Sequence, residues 1–187
     1  PAVELQPASP LDADLSRLDA TVPVLTTVEA EAPPVVALQS TGSDWPRFRG
    51  PDGSGVSKGT GLPLTWNSTE NIAWKTELPG PGSSSPITFG DQIYVTCYSG
   101  YGLSAESPGN PADLKRHLVC LDRRDGRILW DRTMPSEVAE QPYNDAISRH
   151  GFASSTPAAD ADGVYVFFGA SGAAAYSHAG VQKWHRS

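Results

Sequence analysis

The sequence contains no apolar run long enough to make a helix that crosses a bilayer, which takes about 20 residues, and no apolar core of the signal-peptide kind. It does not begin with methionine, and any leader is expected to have been removed or to lie outside the sequence. Basic residues are outnumbered, 14 against 21 acids, for a net charge of −7. Most of that excess sits in residues 1–43, with six acids and one arginine; the remainder is close to neutral, which gives no case for nucleic acid. The four histidines do not fall at metal-ligand spacing: His117, His178 and His185 are scattered singly on expected turns and strand ends. Pro79-Gly-Pro-Gly82 is glycine-rich but lacks the Lys-Ser/Thr of a phosphate loop and opens no helix. Cysteine is scarce, with only Cys97 and Cys120. They fall on the second and third expected strands of one unit. Two readings stay open: a cross-strand disulfide in an oxidising compartment, or two small buried apolar side chains, the plainer of the two.

What is present is a repeat. Eighteen glycines and 17 prolines suit a turn-rich β protein. Cys120-Leu-Asp-Arg-Arg-Asp-Gly-Arg-Ile-Leu-Trp130 reads as strand, turn, strand, ending in tryptophan. A weaker copy runs from Ala174 to Trp184, and in both the tryptophan follows a glycine, Gly126 or Gly180, by four residues. Trp74 closes Asn71-Ile-Ala-Trp in a similar way. Self-similarity at this period decides the architecture. Upstream, Ser84–Val95 and Ser155–Val166 align without gaps; each has a strand after proline, a turn at Gly90-Asp91 or Asp162-Gly163, then an apolar strand. One unit is therefore four short antiparallel strands, the build of a propeller blade. The units are expected at about 84–134 and 153–187, with second strands Gln92–Tyr98 and Val164–Gly169. Insertions are expected at loops, Ser99–His117 and Pro135–Gly151. Ile72–Leu78 reads as a lone outer strand. The fold class is thus all-β, a partial β-propeller of about two blades plus a leading strand. Tryptophan suits a blade's end because neighbouring blades splay, and a large flat side chain with one N–H fills the wedge. Trp74, Trp130, Trp184, Gly126, Gly180 and Asp122 are the expected blade-docking residues.

These residues resemble the tryptophan-docking motif of the quinoprotein-like β-propellers, Ala-x-Asp-x-x-Thr-Gly-x-x-x-Trp. Asp122, Gly126 and Trp130 match it, while Cys120 and Asp125 replace alanine and threonine. The second copy keeps Ala174, Gly180 and Trp184 on the ungapped alignment. Asp44-Trp-Pro-Arg-Phe-Arg-Gly-Pro-Asp-Gly53 and His150-Gly-Phe-Ala-Ser-Ser-Thr-Pro157 are similar to bacterial PQQ-binding-like propeller repeat proteins, so the resemblance covers roughly residues 44–187. It implies fold more than activity, because this fold hosts many functions. A propeller has typically 4–8 blades, so the chain is expected to be the N-terminal piece of a longer one. Such a piece is expected to be poorly stable or to self-associate.

In chain order, residues 1–43 are expected to be a disordered Pro/Ala/acidic tail, either a tether or a solvated remnant. Asp44–Thr60 carries turn chemistry, with Trp45 and Phe48 to pin it and Arg47 and Arg49 as weak candidates for an anion. Asn67-Ser68-Thr69 fits the glycosylation acceptor pattern, and a turn before Asn71 explains it as well. Asp160-Ala-Asp162-Gly163 is similar to the start of a calcium loop but lacks the later acidic ligand, so a hairpin turn is expected. Pro135–Gly151 is the most suggestive stretch: Tyr143, Asp145, Arg149 and His150 are the candidate rim contacts. A base–orienter–nucleophile set of His150, Asp145 and Ser154 or Ser155 can be drawn, but nothing in the spacing selects it.

The expected function is a non-enzymatic scaffold, periplasmic or on the surface of a bacterium, that binds protein or another macromolecule on its rim. No cofactor and no nucleic-acid partner are expected, and no transmembrane segment within the chain, which leaves room for a tether outside it. By resemblance of fold alone, a lipoprotein assisting outer-membrane β-barrel assembly is the nearest functional analogue. The alternative is a quinoprotein dehydrogenase with pyrroloquinoline quinone and calcium, whose active-site blades are missing here. That class needs an adjacent-cysteine disulfide, an acidic calcium ligand and an Asp base. No position of this sequence matches any of them.

Overall fold

The middle of the first unit, Tyr94-Val-Thr-Cys-Tyr98, is buried at every residue rather than at alternate ones. A strand reads this way when both faces of its sheet are covered. In the computed structural model the described residues are 42–187, apart from 136–138, 141, 142 and 144. The expected tail at 1–43 lies almost wholly outside them. Eight strands form two four-stranded antiparallel sheets, each in chain order. The first holds β1 (Ile87–Phe89), β2 (Gln92–Ser99), β3 (Lys115–Asp122) and β4 (Ile128–Pro135). The second holds β5 (Ala158–Asp160), β6 (Gly163–Phe167), β7 (Ala173–Tyr176) and β8 (Gln182–Arg186). The molecule is all-β in architecture, with the four-stranded units expected of propeller blades; one short helix, α1 (Asp145–His150), stands in the connection between them.

The face of the first sheet carrying Tyr94, Leu118, Cys120 and Trp130 packs with Val164, Val166 and Tyr176 of the second. Leu118 and Val164 are fully buried, and each such aliphatic side chain contributes about 1.5–3 kcal/mol. The opposite face, with Val95, Cys97, Val119 and Leu121, packs against Leu78. β1 lies beside β5. Just ahead of them the Ser85 N–H donates to Thr156 Oγ1 at 3.0 Å, a bond between two positions that correspond in the repeat. The hairpin turns β1–β2 and β3–β4 lie together, joined by the Arg124–Asp91 ion pair. The insertions at 100–114 and 136–151 leave from the other end.

Three expectations are corrected, on the first insertion, His117 and the sixth strand, and of the two cysteine readings the buried one holds. Ile72–Leu78, read as a lone segment without the earlier strands of a blade, joins no ladder among the described residues. It is an extended segment whose side chains alternate, Trp74, Thr76 and Leu78 turned inward, because the face of a sheet rather than a strand edge receives it. The first insertion is 100–114, not Ser99–His117; both ends pair as Ser99↔Lys115 and Cys97↔His117. His117 is therefore buried within β3 rather than on a turn. The sixth strand is Gly163–Phe167, and Gly169 belongs to a 3₁₀ turn. The two cysteines do not face each other, since Cys97 is opposite His117 and Cys120 opposite Tyr94. An odd offset along β3 puts them on opposite faces, and both are free thiols. Burial pushes them up to about 11 and about 12, respectively.

Candidate functional site

Two tryptophans make equivalent seams. Trp74 Nε1–H donates to the Arg123 carbonyl at 3.3 Å, and two residues on, Thr76 Oγ1 donates to the Gly126 carbonyl at 2.6 Å. Trp130 Nε1–H donates to the His178 carbonyl at 2.9 Å, and two residues on, Arg132 Nε donates to the Gly180 carbonyl at 2.6 Å. Each indole lies flush on its glycine. A Cβ at Gly126 would stand 2.3 Å from Trp74, and one at Gly180 would stand 2.8 Å from Trp130. Both glycines have positive φ, 74° and 79°, so the turn needs glycine for its backbone and for the approach. Trp184 is 39% exposed, with the Tyr165 ring tilted against it at 6.4 Å between centroids. Asp122 holds the first turn: its carboxylate accepts the Arg124 N–H at 2.8 Å and its carbonyl the Gly126 N–H at 2.9 Å. In the second turn Ser177 takes that place, its carbonyl accepting the Gly180 N–H and its Oγ the Val181 N–H. The ladder sets Cys120 opposite Trp130 and Ala175 opposite Trp184. The counterpart of Cys120 is thus Ala175, not Ala174: the second turn is one residue shorter, which an ungapped alignment misses.

Between the sheets, His178 stacks on Phe89 at 5.2 Å between centroids. Its Nε2 donates to the Asp160 carbonyl at 2.8 Å, which leaves Nδ1 to accept the Tyr94 hydroxyl at 2.5 Å. Every nitrogen is used by the neutral ring. Burial lowers the pKa of His178 below the usual imidazole value and raises that of Tyr94.

The opposite rim is built from both insertions. Tyr101 of the first meets Tyr143 of the second edge-on at 6.4 Å, and Phe152 lies against both. The Tyr143 N–H donates to Tyr101 Oη at 3.0 Å. Beneath them Arg116 is almost wholly buried. It pairs with Glu140 at 2.7 Å and donates to Ser171 Oγ and the Phe152 carbonyl. A cavity of about 430 Å³ opens beside it, lined by Ser154, Ser155, Phe167 and Phe168. Of the candidate rim contacts, Tyr143 is half-buried in this cluster, while Arg149 and His150 are exposed at the end of α1. Asp145 begins α1, and its side chain lies outside the described residues. Among the described residues no hydrogen bond joins His150 to Ser154 or Ser155, so the drawn nucleophile set is not assembled. The sequence offered no sign of Arg116, Tyr101 or Phe152 as the supports of this rim, since only packing puts them under one loop.

The free edges of β1 and β5 are occupied. Trp45 bridges Thr88, exchanging N–H···O bonds of 3.2 and 3.0 Å, and the Pro46 carbonyl accepts the Ala159 N–H at 2.8 Å. Arg47 and Arg49 donate to carbonyls of their own turn, Gly50, Pro51 and Ser54, rather than presenting an anion site. Asp160 Oδ1 accepts the N–H groups of Asp162 and Gly163, a turn rather than a calcium loop. The described residues do not by themselves fit a quinone–calcium centre. Among those described no three His, Cys, Asp or Glu side chains could hold a metal ion, and the two cysteines stand on opposite faces of one sheet. No described helix is long and apolar enough to cross a membrane. A family model described as outer membrane protein assembly factor BamB matches residues 52–187. No curated protein matches the chain.

Proposed function

Because the chain belongs to the PQQ-like β-propeller repeat family described as outer membrane protein assembly factor BamB, we propose that it is a propeller scaffold binding protein partners on one rim, in the bacterial envelope. In this reading residues 44–187 are the N-terminal part of the propeller. Trp74 and Trp130 glue blades to their neighbours, and Trp184 is shaped to do the same. The observation that carries the rim assignment is the joining of both insertions by Tyr101, Tyr143 and Phe152 over the buried Arg116–Glu140 pair. Loops are normally the mobile parts of a propeller; here they are tied down at their base while Arg149 and His150 stay exposed. A rigid base with polar tips lowers the ordering cost of binding.

The rim divides the test. A photoreactive residue in place of His150 is expected to crosslink a discrete envelope protein in cells. The same residue in place of Asp125, on the opposite rim, is expected to give none. Equal adducts from both positions, or dye-linked alcohol oxidation after loading with quinone and calcium, would overturn the reading.

A further inference from the structure

Three side chains that no sequence motif connects meet on the face of the first sheet turned away from the second. Ser99 Oγ lies 2.8 Å from His117 Nε2. His117 Nδ1 lies 2.8 and 3.1 Å from the carboxylate oxygens of Asp131. The ladder explains how. Ser99 pairs with Lys115 and Asp131 with Val119, so His117 stands two residues along from each on the same face. That diagonal is within reach of long side chains across adjacent strands. The carboxylate fixes the imidazole proton on Nδ1, which turns the Nε2 lone pair toward the serine hydroxyl. The chain then bends at Gly100, φ 85°. Neither the Gly100 nor the Tyr101 N–H has an acceptor among the described residues. Amides directly after a nucleophile are where donors to a developing oxyanion are placed.

We propose that Ser99 is an activated nucleophile, with His117 as its general base and Asp131 as the residue that positions His117, in a site that transfers an acyl group from an ester to water. This goes beyond the binding reading and does not depend on it. Ser99 Oγ bonds to the acyl carbon while its proton passes to His117 Nε2. The carbon–oxygen bond to the leaving alcohol breaks, and that oxygen takes the proton from His117. Water, deprotonated by the same nitrogen, then attacks the acyl-serine, and the carboxylic acid departs as Ser99 is reprotonated. His117 is buried whereas the Asp131 side chain is 32% exposed, so Asp131 is the member that can be changed with least risk to the fold.

The test uses the full chain with a fluorophosphonate probe and p-nitrophenyl butyrate. The expected result is one phosphonyl adduct, mapped to Ser99 by peptide mass, and a stoichiometric burst of nitrophenol; S99A loses both. D131N is expected to keep the wild-type circular dichroism spectrum. It should lower the saturating labelling rate by about a hundredfold or more, with the half-saturating probe concentration unchanged. An unmodified Ser99 would overturn the proposal. So would a natively folded D131N that labels at the wild-type rate, which would make the three residues a hydrogen-bonded strut across β2, β3 and β4.

Discussion

Replacing Gly180 by alanine isolates what the indole seam contributes. Two costs combine there. An alanine at φ 79° adopts the left-handed backbone, at about 1–2 kcal/mol. Its methyl would also stand 2.8 Å from Trp130 Cδ2, and such overpacking costs about 1–3 kcal/mol. Gly169 supplies the control. Its φ is 56°, yet a Cβ there meets nothing within 4 Å, so G169A carries the backbone cost alone. We expect about 1–2 kcal/mol for G169A and about 2–5 kcal/mol for G180A. W130A should cost about 3–5 kcal/mol, losing the bond to the His178 carbonyl as well. In the W130A background the methyl at 180 has room, so G180A should fall back to the cost of G169A, a coupling of about 1–3 kcal/mol. Urea unfolding followed by far-UV circular dichroism at low temperature reads all four variants, provided their m-values agree. If G180A costs no more than G169A, or if G180A and W130A simply add, the indole is not seated on that turn.

Two further outcomes follow from buried charge. His178 has a lowered pKa in the folded state, chiefly through burial. Its unfolded form therefore takes up a proton first. Stability is full above the ordinary imidazole value and is lost as pH falls through about 6.5; H178Q should flatten that dependence in urea titrations between pH 8 and pH 5. At the rim, E140A strands the Arg116 guanidinium in an almost fully buried site. It should cost about 3–5 kcal/mol, much of it recovered in the R116M/E140L double variant. Equal losses in the single and double variants would show that Glu140 acts through something other than Arg116.

The sequence by itself determined the repeat, and through it the architecture. The β-branched and aromatic run from Gln92 to Tyr98, the turn residues Asp122 and Gly126, and tryptophan four residues after glycine are local facts, each acting through its own backbone or its immediate neighbours. They were enough for two four-stranded sheets and for marking Trp74 and Trp130, which lie on Gly126 and Gly180, whereas Trp184 is 39% exposed. Register was not local. A turn shortened by one residue moved the true counterpart of Cys120 from Ala174 to Ala175, and the offset of Cys97 from Cys120 depended on where β2 met β3. Ile72–Leu78 had the composition of a strand, but composition does not supply the neighbouring edge that makes one. The same holds for Arg116 with Glu140, and for Ser99, His117 and Asp131, which lie 18 and 14 residues apart in sequence and meet through hydrogen bonds. A side chain's partner across a sheet is set by the ladder's register, and only the folded chain decides that register.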